Sequence, residues 1–263
     1  MNFYEWFFLE KDRPPAGLFS WSHLLSVTII LGGLLVLGFF LAKKYGGNKK
    51  AERIIFIVAG AAIVTLYFAK LIFLLAISTN KGDTLVENLP LFFCDVMIII
   101  IPIAAFAKGR IYDICVDFIA ICGFLMGLMG CYFAGNIYNI RPAFCYQALI
   151  NATSHSIAAF AAMFVFVARL NKMEKRNIPF VIGILFVLMS IALVVDYTTG
   201  KNFMFFLGGE GTPFDIFFNL VQGNLIAYQV IIYVLQCGYI GAFYLVYYLI
   251  TRWIKNKKRK TDR

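Results

Sequence analysis

Two side chains in apolar sequence, a thiol and an imidazole, are the groups in this chain best suited to covalent chemistry. Cys94 follows a Leu-Pro-Leu-Phe-Phe run over 89–93, and His155 lies four residues after Asn151 in a later apolar segment. A buried thiol needs a histidine or a positive neighbour to reach its nucleophilic thiolate form. We therefore take Cys94 as a candidate nucleophile and His155 as a candidate general base.

Other polar side chains fall at a similar depth in neighbouring apolar segments and could support this pair. Asp95 is the natural partner of Lys70 by depth and by sign, since a lysine inside lipid is costly without one. Asn151 or Asp196 could orient the imidazole, as the third member of a catalytic triad does. Three further residues could orient a catalytic group or stabilise an oxyanion or a phosphate. They are Lys70, His23 and Asn202.

Seven apolar segments predict an all-α polytopic membrane protein, a bundle of seven transmembrane helices. The chain is 61% hydrophobic and 14% charged, whereas soluble domains are about 45–50% apolar and about 25% charged. A helix crosses the hydrocarbon with roughly 20 apolar residues. The predicted spans are 20–42, 54–77, 89–107, 111–133, 147–170, 177–197 and 224–251. Gly123 and Gly127 add a GxxxG signal for helix packing.

The positively charged residues are concentrated in alternate loops between the apolar segments. Most of the 24 Lys and Arg residues lie in the segments 43–53, 108–110, 169–176 and 252–263. Because cytoplasmic loops carry the excess of these residues, the N-terminus is predicted outside and the C-terminus in the cytoplasm. The same distribution argues against nucleic acid as a partner. Arg141 and Lys201, the cations of the last two outer loops, suit a lipid headgroup.

The predicted organisation has three parts. Residues 1–19 form an interfacial foot rich in aromatic residues, 20–251 form the transmembrane domain, and 252–263 form a basic cytoplasmic tail. Within the transmembrane domain, 198–223 is predicted to cap the outer side. Thr212 and Pro213 predict the N-cap and first position of a short amphipathic helix over 213–222.

The six cysteines show no CxxC spacing, so the sequence indicates neither a zinc site nor a redox pair. No metal ligand set and no cofactor are predicted. Membrane phospholipids are the expected partners, as acyl donor and acceptor, and the sequence names no protein partner.

Several motifs of this sequence resemble those of the YwaF-like family of bacterial seven-span membrane proteins. The resemblance rests on 89–94, on His155, and on the run 196–205 followed by Gly211-Thr-Pro213, and it extends from His23 to the last span. It implies a bacterial plasma-membrane protein related to a eukaryotic transmembrane phospholipid acyltransferase, with Cys94 as nucleophile and His155 as base. The chain departs from the pattern where the family's histidine is replaced by Phe92 or Phe93.

The leading hypothesis is a membrane-embedded, cysteine-dependent acyltransferase or hydrolase that acts on outer-leaflet lipids through an acyl-Cys intermediate. One alternative is a transporter or ion-coupled carrier that uses Lys70 and Asp95. The other alternative is a membrane protein that binds lipid without turnover.

Overall fold

The computed structural model describes residues 2–261, and the described residues are all helix, turn and loop, with no strand. The chain divides into two compact units, Met1–Lys172 and Met173–Arg263. The side chains of the predicted basic tail beyond residue 254 lie outside the described residues.

Eight helices belong to the first unit. They are α1 Phe3–Phe7, α2 Trp21–Tyr45, α3 Lys49–Ile77, α4 Lys81–Glu87, α5 Val96–Phe106, α6 Gly109–Tyr132, α7 Gly135–Tyr138 and α8 Tyr146–Val167. The long helices begin at side-chain caps where the sequence offers them. Ser20 accepts from the N–H of His23 at the start of α2, and Asn48 accepts from that of Ala51 at the start of α3.

Three helices belong to the second unit: α9 Ile178–Thr199, α10 Asp215–Leu220 and α11 Leu225–Thr261. Helices α9 and α11 pack together, and Ser190 and Tyr233 share a hydrogen bond of 3.1 Å across that contact. Gly200 ends α9 in the left-handed conformation at φ +71°, which glycine adopts without strain.

Six helices are long and apolar enough to cross a membrane, namely α2, α3, α6, α8, α9 and α11. The predicted third span is shorter than the sequence indicates. Its helical part is a 3-10 turn Phe93–Asp95 followed by the 11 residues of α5. Residues 89–92 are not helical. Pro90 lies in this run and cannot donate a helical hydrogen bond, and the Asp95 carboxylate accepts from the Phe92 N–H at the turn that follows.

The predicted outer helix over 213–222 is also shorter, and its predicted cap is wrong. Helix α10 begins at Asp215, and Thr212 and Pro213 lie in the turn before it. The Thr212 hydroxyl donates to the Gly209 carbonyl, and the Asp215 carboxylate accepts from the Gly211 N–H at 2.7 Å. These contacts fold the turn instead of capping a helix at Thr212.

Burial is concentrated in two helices of the first unit. In their apolar windows 72% of the α6 residues and 61% of the α8 residues are buried, against 22% or less in α2, α3, α9 and α11. The less buried helices expose large apolar side chains such as Phe40, Ile72 and Val194. Water would disfavour such faces, whereas a bilayer accommodates them.

The glycines of α6 allow α8 to approach closely, which confirms the packing predicted from the GxxxG spacing. A Cβ on Gly123 would lie 2.6 Å from the Ala158 carbonyl oxygen, and one on Gly127 would lie 2.5 Å from the Ala159 Cβ. Without a hydrophobic driving force between helices in lipid, this kind of backbone approach is a main source of association.

Gly123→Ala should destabilise the first unit by about 1–3 kcal/mol, because the added methyl group meets α8 backbone that cannot move away alone. Thermal unfolding in nanodiscs would measure the change. Gly32→Ala on α2 is the control, since its Cβ would meet nothing within 4 Å. Equal midpoints for the two variants would contradict this packing.

Candidate functional site

Cys94 and Asp95 lie on the 3-10 turn that leads into α5. Both side chains are half-buried, and the turn packs against α6 as well as α5. The loop before the turn is tied to α3, because the Tyr67 hydroxyl donates to the Asn88 carbonyl at 2.9 Å. Because the turn leads directly into α5, the thiol lies at the N-terminal end of that helix, where the backbone dipoles place partial positive charge.

Lys70 is the residue that links the polar groups of the first unit. It is half-buried on α3 and interacts electrostatically with Cys94, Asp95 and His155. Among the described residues it has no carboxylate within 4 Å, so Asp95 is a charged neighbour rather than a contact partner. One ammonium is thus the electrostatic neighbour of a thiol and a carboxyl on the 3-10 turn and of an imidazole on α8.

His155 lies on α8 against the C-terminal part of α6. Its Nδ1 is 2.8 Å from the Asn151 carbonyl oxygen, which can only accept, so Nδ1 carries the proton and donates. In the neutral ring this leaves Nε2 with a lone pair, and Nε2 has no hydrogen-bond partner among the described residues. The Asn151 side chain donates to the Gly130 carbonyl at 3.0 Å and so ties α8 to α6 at this level.

The structure shows no hydrogen bond between the Cys94 thiol and His155 among the residues it describes. The two groups share Lys70 as an electrostatic neighbour, and each is half-buried. Catalytic hydrogen bonds are often long in structures without substrate and tighten when it binds.

His23 occupies a separate, buried position. Its Nδ1 accepts from the Phe19 N–H at 3.0 Å and its Nε2–H donates to the Cys131 carbonyl at 2.9 Å. The ring also packs against that of Tyr138, with centroids 3.9 Å apart and an interplanar angle of 31°. Both ring nitrogens are therefore occupied by structural bonds that hold α2 against the end of α6.

Arg141, predicted to meet a lipid headgroup, is held by the N-terminal segment. Its Nη1 lies 2.9 Å from both carboxylate oxygens of Glu10. Arg13 bonds the Phe144 carbonyl nearby, and Phe8 contacts the Tyr146 ring with centroids 4.9 Å apart. The predicted foot is thus fastened to the start of α8.

Three predicted residues lie in the second unit. Asp196 is buried, and one of its carboxylate oxygens accepts from the Phe203 N–H at 2.7 Å. Asn202 donates to the Gly208 carbonyl and accepts from the Leu207 N–H, so its amide shapes the loop after α9. Lys201 is half-buried in the same loop. A role for these residues beside His155 stays a prediction.

The residue that the sequence reasoning missed is Gly130. A Cβ there would lie 1.8 Å from Cδ2 and 2.2 Å from Nε2 of His155, so only glycine leaves room for the imidazole. The signal was present, because Gly123, Gly127 and Gly130 follow helical spacing on one face of α6. Among the described residues no group of three His, Cys, Asp or Glu side chains could hold a metal ion.

The TMEM164 family model matches residues 18–247, which is most of the chain and includes the polar group around Lys70. The chain belongs to the TMEM164 family. This is a family of transmembrane proteins, and with the long apolar helices it identifies a multi-pass membrane protein. A comparison with curated proteins and with solved structures finds no match. The YwaF-like relationship and the kinship to an acyltransferase stay predictions.

Native alkylation should distinguish the cysteines. Cys94 and Cys237 are half-buried, and the other four are buried. We expect N-ethylmaleimide to add at most two groups to the folded protein and one fewer to Cys94→Ala, as measured by intact mass. Cys115→Ala should behave as wild type. Early modification of a buried cysteine in folded protein would contradict the described packing.

Proposed function

We propose that this TMEM164 family member is a cysteine-dependent acyltransferase or acyl hydrolase. It acts on lipids at the outer leaflet through an acyl-Cys intermediate. The observation that carries the proposal is the group around Lys70, in which a thiol, an imidazole with a free Nε2 and an ammonium share one half-buried region of the first unit. Polar groups at such depth in a membrane segment are costly and mark functional sites.

The proposed topology has seven crossings, with the N-terminus outside and the C-terminus in the cytoplasm. In it, the non-helical residues 89–92, the 3-10 turn and α5 together make the third crossing. This arrangement places Cys94, His155 and Lys70 toward the outer side. The segregation of Lys and Arg into alternate loops supports this orientation.

In the proposed first half-reaction, Nε2 of His155 takes the proton of the Cys94 thiol. The thiolate then attacks the carbonyl carbon of a lipid ester, and the resulting tetrahedral intermediate breaks its acyl–oxygen bond. The leaving alkoxide takes the proton back from His155, which leaves a lysolipid and an acyl thioester on Cys94. Lys70 and the N-terminal end of α5 supply positive charge for the thiolate and the oxyanion.

In the second half-reaction, an alcohol gives its proton to Nε2 and attacks the thioester carbonyl. The thiolate leaves and takes up the proton from the imidazolium. Water in place of the alcohol gives hydrolysis. The acyl group thus moves between oxygens without any redox change, and the chain supplies one nucleophile, one base and one cation.

A carrier is the second candidate, because Lys70 on α3 and Asp95 on the turn before α5 are opposite charges that interact in apolar surroundings. Neutralising both with Lys70→Met and Asp95→Asn separates the two functions. With these substitutions a carrier should lose solute flux in proteoliposomes, whereas an acyltransferase should show no solute flux even as wild type.

Intact mass in phospholipid nanodiscs tests the proposal. Wild type should carry a fatty-acyl increment that hydroxylamine releases, because a thioester is cleaved by that nucleophile. Cys94→Ala should carry none, and His155→Ala should acylate at least about 100-fold more slowly, as expected for loss of a general base.

Cys237→Ala is the matched control, since this cysteine is also half-buried but belongs to the second unit. It should acylate as wild type does. A wild-type protein that alkylates at Cys94 but never acylates in any lipid mixture would overturn acyl transfer and favour lipid binding without turnover.

A further inference from the structure

Gly130 and Asn151 both contact the His155 imidazole. We propose that they are positioning residues: they hold His155 as the Nδ1–H tautomer and so present Nε2 as the base. This inference rests on the proposed function for its catalytic consequence, while the tautomer itself is a property of the folded protein.

The tautomer follows from the acceptor. The Asn151 carbonyl oxygen lies 2.8 Å from Nδ1 and has no proton to give. This carbonyl is in the turn of α8 four residues before His155, where its usual partner is the backbone N–H of that residue. The ring therefore folds back along its own helix, and Nε2 is the nitrogen that points away from the bond.

Gly130 fixes the place of the ring. A Cβ at this position would lie 1.8 Å from Cδ2, 2.2 Å from Nε2 and 2.3 Å from Cγ, distances far below van der Waals contact. The obstacle is the imidazole itself, since no backbone atom is among these three nearest neighbours. An alanine at Gly130 would therefore push the ring out, whereas the rest of the α6 face can stay in place.

Asn151 contributes a second restraint through its side chain. Its Nδ2 donates to the Gly130 carbonyl at 3.0 Å. Asn151, whose backbone carbonyl accepts from the imidazole, is therefore bonded to Gly130, against which the imidazole packs. One turn further inward, the His155 carbonyl oxygen would be 3.1 Å from a Cβ on Gly127. Backbone and ring of His155 are thus both held by the glycine face of α6.

The chain contains two histidines, and the structure gives them opposite tautomers. His23 accepts at Nδ1 and donates from Nε2, whereas His155 donates from Nδ1. Each ring is therefore an internal reference for the other in a spectrum that contains no further imidazole.

The test is nitrogen-15 NMR of histidine-labelled protein in nanodiscs at neutral pH, with His155→Gln to assign the signals. Wild type should show one ring protonated at Nε2, from His23, and one protonated at Nδ1, from His155. Gly130→Ala should lose the Nδ1–H signature and slow Cys94 acylation about 100-fold, the scale expected for a misplaced catalytic group. Gly32→Ala should change neither.

The His23 signal reports whether a variant is folded. If Gly130→Ala loses the His23 signal, Asn151→Ala is the test variant instead. It keeps the backbone carbonyl and removes only the side-chain bond to Gly130. That variant should mix the two tautomers of His155 and slow acylation with the His23 signal unchanged. Asn151→Asp should not restore the rate, because a carboxylate cannot donate to the Gly130 carbonyl.

A wild-type His155 protonated at Nε2 would overturn the inference. So would a folded Gly130→Ala or Asn151→Ala with wild-type tautomer and acylation rate. If the expected tautomers are found but no variant acylates, wild type included, the proposed acyl transfer is refuted. The positioning of His155 by Gly130 and Asn151 would still be supported.

Discussion

The close approach of α6 and α8 is the constraint on which the candidate site depends. Gly123, Gly127 and Gly130 present bare backbone to α8, so that Ala158 and Ala159 come within distances that any side chain on α6 would block. In a bilayer, packing and hydrogen bonds rather than the hydrophobic effect hold helices together. The same glycine face that joins the helices also leaves the space in which His155 lies.

Hydrogen bonds at the C-terminal end of α6 reinforce this contact from two sides. The Gly130 carbonyl accepts from Asn151 of α8, and the next carbonyl, that of Cys131, accepts from His23 of α2. The Cys131 thiol also lies 3.5 Å from the Ser156 hydroxyl of α8. The end of α6 is therefore the point where three helices are fixed relative to each other, one turn from the imidazole.

Charge supplies the second element of the site. A lysine in an apolar span is costly unless its ammonium reaches the interface or finds polar partners, and Lys70 has Asp95, Cys94 and His155 as electrostatic neighbours. Asp95 is not in direct contact with the ammonium and caps the 3-10 turn through the Phe92 N–H instead. In the proposed mechanism the cation acts on the thiol and on any anion that binds beside it.

Much of this could be predicted from the sequence, because membrane helices and their costly polar residues leave clear patterns. The apolar spans, the GxxxG contact and the grouping of Lys70 with Asp95 follow from composition, spacing and depth. The short α5 was not predicted, although Pro90 was a sequence signal for it, because proline and the residue before it disfavour a helix interior. The apolar composition of 89–92 hid this signal, and the bond from the Phe92 N–H to the Asp95 carboxylate depends on the folded turn. The pairing of Arg141 with Glu10 depends on the fold of the N-terminal segment, which lies 131 residues away in sequence. The tautomer of His155 required coordinates.

The rate of Cys94 alkylation at fixed pH tests most directly whether the polar group of the first unit acts as one site, with Cys237 in the same molecule as the reference thiol. Lys70→Met and His155→Ala should each slow the modification of Cys94 about tenfold or more relative to Cys237, because the thiolate loses a cation or a base. Lys70→Arg should retain the wild-type ratio. If the alkylation rate of Cys94 is unchanged in both Lys70→Met and His155→Ala, the thiol is an isolated side chain and the three residues do not form one site.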